Sequence, residues 1–275
     1  MSIALPTLER DRGDYAIDDL PESDGKPMAE TQKHIRQMVN SLDALIWHFR
    51  EEPELYVMGN MFVYFVDALG TLRRVAPDIF AVRGVSKEDR RVYALEREDK
   101  APDLVIEFTS KKTRKIDSTK KPKIYSWLGV KEYFIFDPLG DYLRPRLLGH
   151  KLVGDRYVVM EGEKSRLRST VLGLDLVVEG ENLRFYHSLS GEKLLTHEEA
   201  QTHLQREAAT RQLAEVQTQL HAAARQAAEA EVQREANARR VAEAEAQREV
   251  AARQAAETEI VRLREELARA RKREG

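Results

Sequence analysis

The stretch from residue 101 to residue 138 concentrates the charged side chains that could do chemistry. Two acids, Asp103 and Glu107, lie in an otherwise apolar run. Seven cations follow: Lys111, Lys112, Arg114, Lys115, Lys120, Lys121 and Lys123. Carboxylates ligate Mg²⁺ and Mn²⁺, and lysine and arginine bind phosphate oxygens. This combination predicts a metal site next to a phosphate chain.

Glu107 is the acid that packing explains least. The alternation of a strand over residues 102–110 separates two faces, one with Asp103, Val105, Glu107 and Thr109, the other with Leu104, Ile106 and Phe108. A carboxylate in the middle of an apolar strand is costly to bury unless it is paired or bound to a metal. The alternative is a buried ion pair with a lysine or arginine of the core.

Two further side chains are candidates to support this site. An apolar stripe at helical spacing predicts a helix over residues 29–50, and Glu30 and His34 lie one turn apart at its edge. Either could point towards the acids and help to hold the metal or a water molecule. Alternatively they form a solvated first turn, with Glu30 favourable near the helix N-terminus.

The elements that must position these residues are mostly strands. Strands are predicted over residues 55–66, with a break at Gly59-Asn60, and over residues 74–85, with Asp78 near the start. Residues 86–100 are polar and predict a surface loop. A helix from Ser118 or Thr119 to Gly129 and a buried strand over residues 130–137 complete a strand–helix–strand unit.

Composition excludes several classes of protein. The net charge of −2 and the pI of about 6.4 do not indicate a generally basic nucleic-acid binder, so such contacts must come from local charge. The 275 residues contain no cysteine, which excludes disulfides and thiolate metal sites and favours Mg²⁺ or Mn²⁺ over zinc. No segment is apolar enough for a membrane span or a signal peptide, so we expect a cytoplasmic protein without membrane contacts.

The composition changes near Thr196. From there to the penultimate residue the chain has no glycine, proline or aromatic residue, and strong helix formers dominate. A fourteen-residue repeat aligns residues 227–240, 241–254 and 255–268, and fourteen residues are two heptads. This predicts a helical coiled-coil tail that forms a homodimer or another homo-oligomer. Because alanine fills much of the seam, a single solvated helix is the alternative.

Four motifs, in this order along the chain, resemble those of a known family. They are Pro77-Asp78, then Pro102-Asp103-Leu-Val-Ile-Glu107, then Asp117-x-x-x-Lys121-x-x-x-Tyr125, and then Leu128-Gly-Val-Lys-Glu-Tyr-Phe-Ile-Phe-Asp137-Pro138. Together they resemble the Uma-type putative restriction endonuclease family of the PD-(D/E)XK nuclease superfamily, over about residues 24–195. The resemblance does not cover the tail.

The resemblance implies an α/β fold with a restriction-endonuclease-like core, a mixed β-sheet flanked by helices. Together with the composition and the apolar pattern, it predicts a loosely ordered arm (1–28), the nuclease-like core (29–140), a β-rich extension packed on it (141–195) and the tail (196–275).

The resemblance also implies roles for individual residues. Asp78 and Glu107 match the metal ligands, and Asp103 is a supporting acid. Thr109 stands where the superfamily has its lysine, and Lys121, on the following helix, occupies the position that takes over this role. Two departures from the family are Pro122, directly after Lys121, and Phe134, where tryptophan is frequent.

These observations predict a metal-dependent endonuclease that cleaves DNA, with Asp78, Glu107 and Lys121 as its catalytic residues. The other cations face phosphate or water, and we take five of them as nucleic-acid-binding residues: Lys111, Lys112, Arg114, Lys115 and Lys120. The rival hypothesis is a catalytically inactive nuclease-fold scaffold that binds DNA or protein and oligomerises through its tail.

Overall fold

A computed structural model describes residues 20–23, 25, 31–163 and 165–273. Most of the arm predicted over residues 1–28, and also Glu30, lie outside the described residues.

Twelve strands lie in the described part of the chain. They are β1 (Leu55–Met58), β2 (Val63–Val66), β3 (Leu72–Val75), β4 (Ile79–Arg83), β5 (Tyr93–Ala94), β6 (Leu104–Phe108), β7 (Glu132–Phe136), β8 (Leu147–Val153), β9 (Arg156–Val159), β10 (Arg166–Ser169), β11 (Leu174–Glu179) and β12 (Asn182–His187). The helices there are α1 (Gln32–His48), α2 (Leu95–Glu98), α3 (Arg114–Thr119), α4 (Lys121–Leu128) and α5 (His197–Arg273).

The main sheet has six strands in the order β1-β4-β6-β7-β8-β9. Strands β6 and β7 are parallel, because the chain returns through α3 and α4, and the other neighbours are antiparallel. Both central strands are buried along their whole length, which explains their nearly continuous apolar sequence. This mixed sheet with helices on its faces confirms the predicted α/β class.

Apolar layers cover both faces of the main sheet. On one face, Leu45 of α1 and Phe185 of β12 pack with Ile106. This layer includes the three-stranded sheet β10-β11-β12. On the other face, Tyr125 of α4 and Phe65 of β2 pack with Val105. The alternation predicted for residues 102–110 is confirmed, and it directs Glu107 to the α4 face.

Two predicted strands are divided between sheets. Residues 55–66 form β1 of the main sheet and β2 of a small sheet, β3-β2-β5. The single strand predicted over residues 74–85 is wrong, because β3 ends at Val75 and β4 begins at Ile79. Pro77 has no N–H to donate to a ladder, and the chain crosses from the small sheet to the main sheet at this point.

The loop predicted over residues 86–100 also contains structure that we did not predict. Residues Tyr93–Ala94 form β5, which pairs in parallel with β2, and Leu95–Glu98 form the short helix α2. The Tyr93 ring is fully buried in the apolar layer beside β4. A strand of two residues is too short to give a periodic apolar pattern in the sequence.

The basic segment folds into two helices. Helical structure begins at Arg114, four residues before the predicted start, and the break falls between Thr119 and Lys121. Pro122 lies in the first turn of α4, where its missing N–H costs least. Gly129 ends α4 in the left-handed conformation, with φ of 81°.

The segment after residue 140 is part of the same sheet and core. Strands β8 and β9 continue the main sheet from β7. The buried carboxylate of Glu132 in β7 accepts hydrogen bonds from the Ser169 and Thr170 hydroxyls and from the Thr170 N–H. These bonds tie the main sheet to β10.

The tail begins with a capping box. The Thr196 hydroxyl accepts from the Glu199 N–H, and the Glu199 carboxylate accepts from the Thr196 N–H. Among the described residues, those from His203 onwards form a unit of their own. Every side chain from residue 201 to residue 266 is exposed. None of the helices in the described part of the chain is long and apolar enough to cross a membrane.

Candidate active site

The pairing of β4 with β6 brings Asp78 to Glu107. These strands are antiparallel, with Ile79 opposite Ile106, so the next position in register places Asp78 opposite Glu107. The Asp78 N–H donates to Glu107 Oε2 (3.4 Å), and Asp78 Oδ2 accepts from the Phe108 N–H (2.6 Å). The two acids therefore lie at the same end of two neighbouring strands, although they are 29 positions apart in the sequence.

Glu107 is enclosed by polar partners on both of its oxygens. Its side chain is 1% exposed. Glu107 Oε1 accepts a hydrogen bond from the Tyr125 hydroxyl (2.7 Å), and Oε2 lies 2.7 Å from the Lys121 ammonium. The carboxylate is thus held in one orientation by a neutral donor and a cation.

The lysine belongs to a row of three side chains on α3 and α4. Asp117, Lys121 and Tyr125 are four residues apart, so they lie on one helical face and point to the same place. The Lys121 ammonium lies 3.2 Å from Asp117 Oδ1 and donates to the Ala76 carbonyl at 3.5 Å. Lys121 therefore links the two helices to the segment that carries Asp78.

Burial dominates the proton affinities of the two strand acids. It raises the pKa of Glu107 to about 8, against the lowering effect of Lys121 and with a further rise from Asp78 and Asp117. Burial also raises the pKa of Asp78, and Lys121 and the Phe108 N–H oppose this rise. The positive charge of Lys121 therefore offsets only part of the effect of burial on the two acids.

The pKa values of Lys121 and Tyr125 are both raised, for different reasons. Burial alone would lower the pKa of Lys121, but Glu107, Asp117 and Asp78 outweigh it and raise that pKa. Burial, reinforced by the Glu107 charge, raises the pKa of Tyr125 well above its usual value. Lys121 is thus a stable cation, and Tyr125 stays a neutral donor to Glu107.

Asp117 is a site residue to which the sequence analysis gave no role, although it begins the third motif. Its side chain is 1% exposed and lies against Lys121. The four-residue spacing of Asp117, Lys121 and Tyr125 was the signal that could have identified it.

His34 and Thr109 lie beside the acids. The His34 ring is buried at the start of α1 and packs edge-on against Phe108 at 6.1 Å. Its charge contributes to lowering the pKa of Asp78. Thr109 is buried directly after β6, and its hydroxyl has no hydrogen-bond partner among the residues described. Glu30 lies outside those residues.

The structure does not bring Asp103 to this cluster. Asp103 precedes β6 at the end opposite to Glu107, about 13 Å away along the strand. Its carboxylate accepts from the Arg83 N–H (2.8 Å) and pairs with Lys131 (2.7 Å). These partners give Asp103 a structural position that fixes the start of β6.

Asp137 of the fourth motif also has a structural position. It is fully buried, and its two oxygens accept hydrogen bonds from four backbone N–H groups, those of Leu139, Gly140, Tyr142 and Leu143. Asp137 therefore organises the loop that connects β7 to β8.

The predicted nucleic-acid-binding cations are at the surface. All five are exposed, and they lie between the end of β6 and the start of α4: Lys111, Lys112, Arg114, Lys115 and Lys120. The Arg114 guanidinium lies over the Tyr142 ring at 5.4 Å. This basic segment follows Glu107 directly in the chain, whereas Lys121 turns inwards.

The donor atoms of the site fit a hard divalent cation. In the described part of the chain, no three His, Asp or Glu side chains converge as a ready-made metal site. However, the buried cluster holds three carboxylates, Asp78, Glu107 and Asp117, and one ammonium, Lys121. Carboxylate oxygens are the ligands that Mg²⁺ and Mn²⁺ prefer, and a divalent cation would balance the excess negative charge.

Comparison with known proteins identifies the family of this chain. The Uma2 family, described as "Putative restriction endonuclease", matches residues 14–179, which is more than half of the chain. The chain belongs to this family, so the resemblance in the sequence is confirmed. No curated protein matches the chain.

A solved structure is also similar to this chain. It is the crystal structure of a putative nuclease belonging to DUF820 from Anabaena variabilis ATCC 29413. The two share 16% sequence identity with a TM-score of 0.40, and the match covers 56% of this chain and 89% of that chain.

Proposed function

We propose that this protein is a divalent-metal-dependent endonuclease that hydrolyses phosphodiester bonds in DNA. One observation carries the proposal: Asp78, Glu107 and Lys121, from three separate elements, converge at one buried site. Membership of a restriction endonuclease family supports the same chemistry.

Asp78 and Glu107 are the residues that hold the metal. When bound, Mg²⁺ or Mn²⁺ supplies charge neutralisation at the scissile phosphate and an activated water. The Tyr125 hydroxyl orients Glu107 through one oxygen, so that the other oxygen faces Asp78 and Lys121. Lys121 keeps its proton and places a fixed positive charge where negative charge develops on the phosphate.

The exposed basic segment binds the DNA backbone. Its cations contact phosphates without reading the sequence, so they contribute affinity that falls as salt rises. They lie on the connection that directly follows β6, the strand that contains Glu107.

Nicking of supercoiled plasmid in Mg²⁺ or Mn²⁺ tests this function. We expect cleavage by the wild type and a loss of roughly 100-fold or more in Glu107→Gln and Lys121→Met. Lys131→Met is the matched control, because Lys131 pairs with Asp103 at the other end of β6 and should retain activity.

The second candidate is a scaffold that has kept the nuclease fold without cleavage. The tail favours it, because α5 presents apolar side chains to solvent over most of its length, among them Leu213, Val216, Leu220, Ile260 and Leu263. A wild type that binds DNA but cuts no plasmid with either metal would refute the enzyme and leave the scaffold. In both cases we propose that the tail mediates homo-oligomerisation.

A further inference from the structure

The buried cluster has more negative than positive groups. Three acids, Asp78, Glu107 and Asp117, lie around one ammonium, that of Lys121, which contacts the last two of them. A buried charge without a partner is costly, so the arrangement of the one cation matters for the whole site.

Lys121 is shared between two acids that are placed differently. Glu107 has three partners, namely Tyr125, Lys121 and the Asp78 N–H. The buried carboxylate of Asp117 accepts no hydrogen bond from the described residues, and Lys121 is the cation it lies against. Hydrogen bonding within the fold therefore does not account for Asp117.

We infer that Asp117 is a positioning residue that keeps the Lys121 ammonium in the site when Glu107 ligates a divalent cation. The inference rests on the metal binding of the proposed function. In the structure, Glu107 Oε2 is occupied by Lys121 at 2.7 Å, so Glu107 must release Lys121 to ligate metal through this oxygen. Asp117, one helical turn before Lys121 and 3.2 Å from its ammonium, is the second partner that makes this release possible.

The charges predict how each variant shifts the competition for Glu107. In Asp117→Asn, Lys121 has lost its second acidic partner and remains with Glu107, so metal binding weakens. In Lys121→Met, Glu107 has no ammonium to release, so metal binding does not depend on Asp117. The two substitutions are therefore not additive if Asp117 acts through Lys121.

Calorimetric titration of the full chain with Mn²⁺ tests the inference without any measurement of cleavage. We expect Asp117→Asn to raise the Kd by roughly 10–100-fold. In the Lys121→Met background the same substitution should change the Kd by less than about threefold. Asp117→Glu, which keeps the charge, should restore most of the affinity, and it provides a second test if the asparagine variant does not fold.

Two controls separate this role from general damage. Circular dichroism and thermal unfolding report whether each variant is folded. Asp175→Asn removes another buried acid, one paired with Arg168 in β10, and should leave Mn²⁺ affinity unchanged.

If the wild type binds Mn²⁺, three outcomes would overturn the inference. One is wild-type affinity in Asp117→Asn, and another is an affinity in Asp117→Glu as weak as in the asparagine variant. The third is an equal loss in the wild-type and Lys121→Met backgrounds, since Asp117 would then act on the metal directly. A wild type that binds no Mn²⁺ contradicts the metal dependence of the proposed function as well, whereas the other outcomes leave that function intact.

Discussion

At Glu107, burial and the nearby cation act against each other. Removal from water penalises the ionised carboxylate, and Lys121 at 2.7 Å favours it. Burial is the larger effect, and Asp78 and Asp117 add to it, so the pKa of Glu107 rises from 4.5 to about 8. The folded protein therefore holds a proton on Glu107 over a range in which the unfolded chain releases it.

This shift predicts that Glu107 makes the metal-free protein less stable as pH rises from about 4.5 to about 8. In that window the folded state binds more protons than the unfolded state, so the free energy of unfolding falls with pH. Glu107→Gln resembles the protonated form and lacks this loss. We expect its stability advantage over the wild type to grow by more than about 1 kcal/mol between pH 5 and pH 9.

Urea unfolding in EDTA at several pH values measures this difference. Glu179→Gln is the control: although partial burial favours a higher pKa, the Lys193 and Tyr186 bonds hold the pKa of Glu179 below its usual value. Its effect should not grow above about pH 5. Stability curves for Glu107→Gln and the wild type that run parallel would contradict the prediction.

The sequence was sufficient to predict that Asp78, Glu107 and Lys121 lie together, but not to predict their surroundings. Glu107 stood out because a carboxylate in an apolar strand has few structural explanations. The spacing of Asp117 from Lys121 and Tyr125 indicated a shared helical face, but the burial of Asp117 depends on tertiary packing, which local spacing does not determine. The catalytic roles of these residues stay predictions.

Among the elements, the turn after β1 holds Asp78 in place. Gly59 lies so close to the Asp78 backbone that a Cβ atom there would come within 2.1 Å of the Asp78 carbonyl oxygen. The next residue, Asn60, donates its N–H towards the Pro77 and Asp78 carbonyls, at 3.1 and 3.2 Å. The backbone of a proposed metal ligand is thus packed against a residue of another strand connection.

Gly59→Ala should therefore displace Asp78 and lower Mn²⁺ affinity and plasmid nicking by roughly tenfold or more. The added methyl meets backbone, which cannot move aside as a side chain can. Calorimetry and nicking of the folded variant measure the effect.

Gly149→Ala in β8 is the matched control, because its nearest contacts are the side-chain ends of Leu167 and Met160. It should lose stability, by about 1–3 kcal/mol, and retain metal binding. Equal metal affinity in Gly59→Ala and the wild type would show that Asp78 does not depend on this contact.

Element types were easier to predict than sheet partners. Residues 102–110 and 130–137 were predictable as neighbouring buried strands, because a nearly continuous apolar run and an intervening helix favour a parallel pair. The split of residues 74–85 was not, because the two halves have the same strand propensity whichever sheet they join. Only the position of Pro77 indicated where the chain leaves one sheet for the other.

At the scale of the whole molecule, the tail is the longest element of the described chain. Helix α5 has 77 residues, and its repeat of two heptads brings back mostly alanine, with a few larger apolar residues, at intervals suited to a partner helix. A long helix without a partner buries little apolar surface, so association is the simplest source of stability for it.

We expect the full chain to be a homo-oligomer and a protein ending at Thr202 to be monomeric. This end keeps the capping box and the ion pair of Arg184 with Glu199. Light scattering coupled to size-exclusion chromatography gives both masses. In the full chain, Leu213→Glu with Leu220→Glu should also reduce the mass, because the charges would lie in the seam.

The replacement of two exposed charged residues of α5, Glu229→Ala with Arg239→Ala, is the control and should leave the mass unchanged. A monomeric full chain would refute the association of the tail.

The row of Asp117, Lys121 and Tyr125 has a consequence for comparing relatives of this protein. Each added or deleted residue in a helix turns all later side chains by about 100°. A gap anywhere between Asp117 and Tyr125 would therefore separate at least one of the three from Glu107, even if every residue type were retained. Relatives with an alignment gap in this interval should have lost the site, whereas length changes in the exposed turn between β8 and β9 should not affect it.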